Sequence, residues 1–184
     1  MQSTADFLPA VCRTVERVLG KEVLKHFIFE AVEKQEDRHV FELSGNGRQV
    51  VIRGSSPVSL LSGLNWYLKY ECKRNLTWSQ MKLDLPDPVP MPSAPVRKVR
   101  PYKYFYNFNF VAYSYSMAFW DWHRWEQELD WMALNGMDLI LELTGHEEVW
   151  RRTLVKLGYA DDEIKEYLCG PAFFPFQWLG VMYG

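Results

Sequence analysis

The spacing of apolar residues predicts a small α/β layer in the first part of the chain. Between residues 3 and 19 apolar side chains recur at helical intervals, which predicts one amphipathic helix that ends at Gly20 and holds Pro9 in its first turn. Residues 26–32 and 38–43 are rich in β-branched and aromatic side chains and predict two strands. The chain is therefore expected to begin with a helix and to continue into a sheet.

A glycine-containing turn and a strong helix start follow. Asn46-Gly47 predicts a tight hairpin turn into a third strand at residues 49–52, because this pair accepts the positive φ angles of such turns. Ser55-Ser56-Pro57 predicts a helix that runs to about Cys72, with a hydroxyl cap and proline at the first helical position. Its expected buried residues are Leu60, Leu61, Leu64 and Leu68. Residues 1–84 are thus predicted to form a small α+β domain with its sheet on one side and its helices on the other.

Residues 85–100 predict a semi-rigid linker. They contain five prolines, which remove amide donors and favour extended backbone: Pro86, Pro88, Pro90, Pro92 and Pro95. The same composition fits a ligand for a proline-recognition domain, but its position between two folded segments favours a linker. We therefore expect the domain boundary here.

Beyond the linker the pattern becomes that of a parallel α/β fold. Residues 103–110 and 137–143 predict buried strands, residues 121–134 a helix between them, and a further helix follows Gly145. The apolar face of the helix over 121–134 is expected to consist of Trp122, Trp125, Leu129, Met132 and Ala133. Strand, helix, strand, helix is the βα repeat of a parallel sheet.

Charged residues add two local expectations in this second part. Arg124 and Glu128 stand four residues apart, which predicts an ion pair on the helix surface. Asp161-Asp162 predicts the start of a short helix that carries Ile164 and ends at Gly170-Pro171.

Composition and charge exclude several classes of protein. The chain has 48% hydrophobic and 24% charged residues and a net charge of −2, so it is globular in composition and has no basic footprint for nucleic acid. No apolar run approaches the ~18–20 residues of a membrane helix, and the N-terminus lacks a signal-peptide pattern. Cys12, Cys72 and Cys169 are odd in number and far apart, which predicts free thiols and neither disulfides nor a metal site.

The aromatic residues are concentrated in one stretch. Thirteen of them fall between Tyr102 and Trp131, interleaved with Asn107, Asn109 and hydroxyl groups over residues 113–116. Such an apolar wall with a few hydrogen-bonding groups is typical of a sugar site. The loop that follows the first predicted strand and the turn after the second would face the same mouth, because active sites of βα barrels gather at the carboxyl ends of the strands.

Several unusual sequence blocks then occur in a characteristic order. They are residues 106–109 (YNFN), Tyr115-Ser116, residues 120–126 (WDWHRWE), residues 130–136 (DWMALNG), residues 144–150 (TGHEEVW) and residues 170–173 (GPAF). In these blocks the chain resembles the α-N-acetylglucosaminidase family of glycoside hydrolases, and residues 1–84 resemble that family's small N-terminal α/β domain. The resemblance implies a (β/α)8 TIM barrel that removes terminal α-linked N-acetylglucosamine with retention, from glycans or glycosaminoglycans such as heparan sulfate. It also implies two catalytic glutamates, no metal or other cofactor, and a lysosomal or exported location.

The resemblance also assigns substrate-binding residues. Asn109 and Tyr115 match positions that line the N-acetylglucosamine pocket, and their amide and phenol groups suit sugar hydroxyls. Phe176 stands where the animal enzyme has a pocket tryptophan, Val111 stands where it has a cysteine, and His146 replaces a glutamine that is common in the family. Phe176 would keep an apolar platform but lack the indole donor.

The catalytic glutamates are expected beyond Gly184. Glu147 and Glu148 are neighbours on a helix and point about 100° apart, and a helix N-terminus favours ionised carboxylates, which does not suit a general acid. Residues 101–184 cover two βα units and the approach to a third, whereas a TIM barrel takes about 250 residues. We therefore expect an incomplete barrel that is inactive alone. The alternatives are a noncatalytic carbohydrate-binding module and a protein-interaction fragment.

Overall fold

The computed structural model describes residues 4–168 together with Gly170 and Phe176. The chain divides into two compact units: Met1–Phe105 with Trp125–Leu139, and Tyr106–Arg124 with Ile140–Gly184. The architecture is mixed α/β, with an N-terminal domain that precedes the first elements of a βα repeat.

The first unit is built on a four-stranded sheet. Its elements are α1 (Thr4–Leu19), a 3-10 helix (Lys21–His26), β1 (Phe27–Ala31), β2 (Val40–Gly45), β3 (Val50–Gly54), α2 (Pro57–Tyr70) and β4 (Val96–Val99), together with most of α3 (Trp122–Leu134). The strand order is β1-β3-β2-β4; β1 runs parallel to β3, and β2 is antiparallel to both of its neighbours. The predicted strands, the hairpin between β2 and β3, and both helices are confirmed.

The core lies where the apolar stripes of α1 and α2 meet the sheet. The largest fully buried side chains include Tyr67, Leu43, Ile52, Leu60, Leu64 and Leu68. The buried thiol of Cys72 belongs to the same cluster. Ser56 caps α2 as predicted, since its hydroxyl accepts a hydrogen bond from the Ser59 N–H over 3.1 Å and Pro57 begins the helix.

Close packing joins β3 to α2. A β-carbon at Gly54 would lie 2.6 Å from the backbone nitrogen and 2.8 Å from Cγ of Leu60. Since non-bonded carbon atoms do not approach so closely, the absence of a side chain at Gly54 sets the distance between the strand and the helix.

Three details of the first unit differ from prediction. Val96–Val99 form β4 and pair with β2, so these four residues belong to the sheet and not to a linker.

The hairpin loop spans residues 46–49 and is wider than the predicted tight turn. The Asn46 side chain accepts hydrogen bonds from the N–H groups of Arg48 and Gln49, and Gly47 has a φ of 85°. Pro9 lies in the second turn of α1, where it removes one helical hydrogen bond close to the helix start. The division into domains at residues 84 and 100 stays a prediction.

A partly buried ionic cluster holds the end of β4. The Arg100 guanidinium donates to the Asp138 carboxylate and to the carbonyl oxygens of Gly136, Lys103 and Tyr102. Asp138 also accepts from the Phe105 N–H over 2.8 Å. Burial raises the pKa of Asp138, but the hydrogen bonds from Arg100 and Phe105 outweigh burial and hold this pKa below its ordinary value.

His39 lies beside this cluster. Its Nε2 atom is 3.8 Å from the Asp138 carboxylate, and its Nδ1 atom is 3.1 Å from the Ser55 hydroxyl. Burial, followed by repulsion from Arg100 and Lys34, lowers the pKa of His39, while Asp138 and Asp37 oppose this effect only in part. Folding therefore favours the neutral form of the imidazole.

Acid is expected to weaken the fold through His39. Below a pH of about 6.5 the unfolded chain takes up a proton at this residue that the folded chain does not, so the free energy of unfolding falls as the pH falls. His39→Gln, which keeps an amide for Ser55 but has no titrating ring, should lose less stability than the wild type between about pH 7.5 and about pH 5.5. Urea denaturation at the two pH values checks this, and identical losses in both proteins would contradict it.

The second unit contains short strands and helical segments. Its described elements are β5 (Tyr106–Asn107), a 3-10 helix (Phe110–Ser114), the first turn of α3, α4 (His146–Lys156) and α5 (Asp161–Tyr167). The chain passes from the first unit to the second within β6 (Leu139–Ile140). The N–H groups of Leu139 and Leu141 donate to the carbonyls of Phe105 and Asn107. Both partners advance by two residues in the same direction, so the pairing is parallel, as a βα repeat requires.

The predicted strands are longer than the observed ones. Only two residues each of 103–110 and 137–143 have strand geometry, and Tyr106 and Leu139 are exposed. Phe108 adopts a positive φ of 74°, and Asn109 then starts a 3-10 helix, so the first strand ends early. The two strands therefore lie where they were predicted, but they are shorter than predicted and partly exposed.

The buried face of α3 also differs from the predicted one. Trp122 and Leu129 are exposed, whereas Glu128, Asp130, Met132 and Leu134 are buried. The Glu128 carboxylate accepts a hydrogen bond from the indole N–H of Trp78, and Glu128 is buried rather than on the helix surface. Its predicted ion pair with Arg124 stays a prediction. The predicted short helix is confirmed as α5, although its Ala160 N–H is capped by the Glu163 carboxylate over 2.8 Å.

Candidate functional site

Asn109 organises the loop after β5. It is the N-cap of the 3-10 helix at Phe110–Ser114, and its side-chain oxygen accepts from the Ala112 N–H over 3.1 Å. Because Asn109 is exposed, its amide still offers two N–H donors to a ligand. The residue is thus fixed by the turn that it caps.

Tyr115 and Phe176 come together in the structure. Tyr115 ends the 3-10 helix, is 69% exposed, and meets Phe176 with ring centroids 6.3 Å apart at 86°. Phe176 also meets Phe110 edge to face, with centroids 6.3 Å apart. Three rings therefore form a single aromatic wall beside the turn that Asn109 caps. Val111, whose position was predicted to differ from the animal enzyme, lies half-buried in the same 3-10 helix.

Two polar residues of the same 3-10 helix are buried. Tyr113 and Ser114 are both 6% exposed, and the Tyr113 ring packs against Phe108 with centroids 5.9 Å apart. Burial, and then the nearby Glu142, raises the pKa of the Tyr113 hydroxyl above its ordinary value. In the part of the chain that the structure describes, no hydrogen-bonding partner reaches the Ser114 hydroxyl oxygen. The run of hydroxyls in the sequence signalled these residues, although not which of them are buried.

His146 begins α4, at the carboxyl side of β6. Its Nε2 atom lies 3.0 Å from the Glu142 carboxylate. The sequence interpretation placed His146 at the site but missed Glu142, although the four-residue spacing is a signal that could have found it. The Glu142 carboxylate thus orients the imidazole of His146 at the start of α4.

Glu148 is unsuited to proton transfer. Hydrogen bonds from Arg151 and Arg152 lower the pKa of Glu148 to about 2, so it stays ionised at any ordinary working pH. The charge environment of Glu148, like its position at a helix N-terminus, does not suit a general acid.

The segment after the loop is held in place by its own side chains. Asp121 accepts from the Arg124 N–H over 2.9 Å, and the Arg124 guanidinium lies 3.9 Å from the centroid of the Trp120 ring. Phe119 and Trp122 remain exposed at 83% and 68%. The aromatic excess of the sequence is thus divided between a packed wall and exposed rings.

Two structural features are absent from the residues that the structure describes. No helix among them is long and apolar enough to cross a membrane. No group of three or more histidine, cysteine, aspartate or glutamate side chains in that part of the chain could hold a metal ion.

A parallel βα repeat whose first strand is followed by amide, phenol and aromatic groups is typical of α/β proteins that bind sugars at the carboxyl ends of their strands. Residues 105–184 match the family model of the alpha-N-acetylglucosaminidase (NAGLU) tim-barrel domain, and residues 9–91 match that of the alpha-N-acetylglucosaminidase (NAGLU) N-terminal domain. The chain belongs to the α-N-acetylglucosaminidase family, as the resemblance of its sequence blocks predicted.

Similar proteins include human and bacterial glycoside hydrolases. Human alpha-N-acetylglucosaminidase is 36% identical over 178 residues, which cover 95% of this chain and 24% of the human protein. A family 89 glycoside hydrolase from Clostridium perfringens, in complex with 2-acetamido-1,2-dideoxynojirmycin, is 41% identical with a TM-score of 0.89 over 98% of this chain and 21% of that chain. A doubly Glu-to-Gln substituted form of the Clostridium perfringens enzyme, in complex with its substrate GlcNAc-alpha-1,4-galactose, has a TM-score of 0.90 over 98% of this chain and 20% of that one, at 41% identity.

The chain thus spans about a quarter of the human relative and about a fifth of the bacterial structures. It corresponds to the N-terminal domain and to the start of the TIM-barrel domain of a glycoside hydrolase.

Proposed function

We propose that this chain is the N-terminal portion of a retaining exo-α-N-acetylglucosaminidase and that it supplies one wall of the pocket for terminal N-acetylglucosamine. The observation that carries the proposal is the contact between Tyr115 and Phe176 beside the turn capped by Asn109. These three residues are the ones that the family resemblance assigns to sugar binding. The complex of the bacterial neighbour with GlcNAc-alpha-1,4-galactose supports a substrate of this class.

Each residue has a role that suits its chemistry. The Asn109 amide donates to a sugar hydroxyl or to the acetamido oxygen, and the Tyr115 phenol exchanges a hydrogen bond with a neighbouring hydroxyl. The Phe176 ring offers an apolar surface to the C–H face of the pyranose. His146, oriented by Glu142, contributes a polar edge to the pocket. The natural substrates would be glycans, or glycosaminoglycans such as heparan sulfate.

The 184 residues alone are proposed to be inactive. Retaining hydrolysis needs one carboxyl group as acid/base and a second as nucleophile, about 5–5.5 Å apart. Glu148 is held ionised by two arginines, and a neighbour on the same helix turn cannot reach the other face of a sugar. The catalytic glutamates are therefore assigned to later strands of a barrel that these residues only begin.

The test uses the protein translated from the whole reading frame. Tyr115→Phe and Asn109→Ala should each lower kcat/KM for an aryl α-N-acetylglucosaminide by about 10- to 100-fold, the cost of one or two hydrogen bonds lost to a substrate. Tyr159→Phe, which alters an exposed phenol shortly after α4, is the control and should leave kcat/KM unchanged.

Other outcomes separate the alternatives. Hydrolysis by the 184-residue chain alone would contradict its inactivity. Calorimetric binding of N-acetylglucosamine by this chain, combined with a complete reading frame that lacks hydrolase activity, would favour a noncatalytic binding module. Unchanged kinetics in both site variants would remove Asn109 and Tyr115 from the pocket.

A further inference from the structure

Three acidic side chains on α3 take no part in the sugar site. They are Glu126, Glu128 and Asp130, and the last two are among the few buried charged residues, at 1% and 6% exposure. A carboxylate that is buried without partners is strongly destabilising, so each of these groups needs a counterpart. All of the counterparts described below come from residues 1–105.

Asp130 is held by α1. The Arg17 guanidinium donates to both of its carboxylate oxygens, with Nε to Oδ2 at 2.6 Å and a terminal nitrogen to Oδ1 at 2.7 Å. The Thr14 hydroxyl donates to Oδ1 over 2.9 Å. Arg17 also lies 3.3 Å from the Glu126 carboxylate. Thr14 and Arg17 are one turn apart on α1, as Glu126 and Asp130 are on α3, so the two helix faces match in spacing and in charge.

Two further contacts extend this match along α3. The indole N–H of Trp78 donates to the buried Glu128 carboxylate. At the end of the helix, Leu134 is 1% exposed and belongs to the hydrophobic core formed by α1, α2 and the sheet. A β-carbon at Gly136 would lie 2.9 Å from the Ser62 hydroxyl oxygen, so the backbone after α3 also approaches α2 closely.

We infer that α1, α2 and Trp78 form a docking surface for residues 125–134 of α3, and that the N-terminal domain and this helix fold and unfold in one cooperative step. The two family models divide the chain at residues 91 and 105, yet the first helix of the barrel model completes the core of the N-terminal one. Without α3 the N-terminal domain would leave Arg17 unpaired and a cavity at Leu134. Without the N-terminal domain the carboxylates of α3 would lose their donors. The acidic residues of α3 are therefore positioning residues and not candidates for catalysis.

The experiment compares amide hydrogen exchange and thermal unfolding of the whole chain with those of an Asp130→Asn variant. We expect the unfolding midpoint to fall by roughly 10 °C, because a buried charge pair is broken. Exchange should accelerate together in residues 8–19 and 125–134, although the substitution lies in α3 alone. Asp162→Asn, which alters a fully exposed carboxylate on α5, is the control and should change neither quantity.

A gentler variant keeps the test decisive if Asp130→Asn does not fold. Thr14→Val preserves the shape of the side chain and removes one donor to Asp130, so the midpoint should fall by about 2–4 °C with exchange again raised in both helices. Faster exchange in α3 alone, with α1 unchanged, would overturn the inference. So would equal protection of α3 and α4 in the wild type, because α4 has no buried residue to tie it to this core.

Discussion

Replacing Arg100 with methionine is expected to lower the free energy of unfolding by roughly 3–5 kcal/mol. The arginine side chain is only 12% exposed, and its partner Asp138 is 17% exposed. Methionine fills a similar volume but leaves a partly buried carboxylate without its cation and removes the donor from the carbonyls of Gly136, Lys103 and Tyr102. The loss therefore combines a broken ion pair with the hydrogen bond lost at the part-buried Gly136 carbonyl.

Urea denaturation measures this loss against a matched substitution. Arg152→Met removes an arginine of α4 whose side chain is 71% exposed and whose partner is the surface residue Glu148. This control should lose less than about 0.5 kcal/mol, since exposed ion pairs contribute little. Similar losses for the two variants would mean that the cluster around Arg100 is solvated and does not bear on stability.

Replacing Leu64 with alanine is expected to cost about 2–5 kcal/mol of unfolding free energy. Leu64 is fully buried on α2 within the cluster that joins both helices to the sheet. Truncation removes its apolar contacts and leaves a cavity that the rigid packing around Gly54 and Leu60 cannot fill by collapse.

The same change at an exposed leucine gives the comparison. Leu157 follows α4 and is 69% exposed, so Leu157→Ala should change the unfolding free energy by less than about 0.5 kcal/mol. The dependence of the free energy on urea should keep the same slope in Leu64→Ala, because the substitution alters packing and not the surface exposed on unfolding. A small loss at Leu64 would place the core elsewhere.

The elements that the sequence predicted well are those whose determinants are local. The start of α2 lies in three consecutive residues, Ser55-Ser56-Pro57, and its buried face lies in the spacing of its leucines. The hairpin between β2 and β3 likewise depends on a turn of a few residues. Local hydrogen bonds and one apolar stripe are sufficient to define such elements.

The features that the sequence analysis did not predict depend on contacts with residues far away along the chain. Val96–Val99 become a strand only because β2 offers an open edge, which the surrounding prolines conceal in the sequence. Asp130 occupies a position that periodicity marks as a surface residue, but it is buried because Arg17, 113 residues earlier, neutralises it. Neither the strand at Val96–Val99 nor the burial of Asp130 can be predicted from neighbouring residues alone.

The candidate site also has features that were predicted from the sequence and features that only the structure shows. Asn109, Tyr115 and Phe176 were predicted from a family resemblance, whereas composition alone indicated only a sugar-binding aromatic stretch. The capping role of Asn109 and the burial of Ser114 arise from the backbone turn between them, which the sequence interpretation treated as a loop.

The close approach at Gly54 limits which substitutions this layer of the fold can accept. Any larger residue would drive β3 away from α2, because its β-carbon would meet the backbone of Leu60. Side-chain repacking cannot relieve a collision with a main-chain atom, so a compensating substitution elsewhere has little to offer. A substitution at Gly54 therefore requires the main chain of β3 or α2 to move, whereas substitutions of the surrounding side chains require only local repacking.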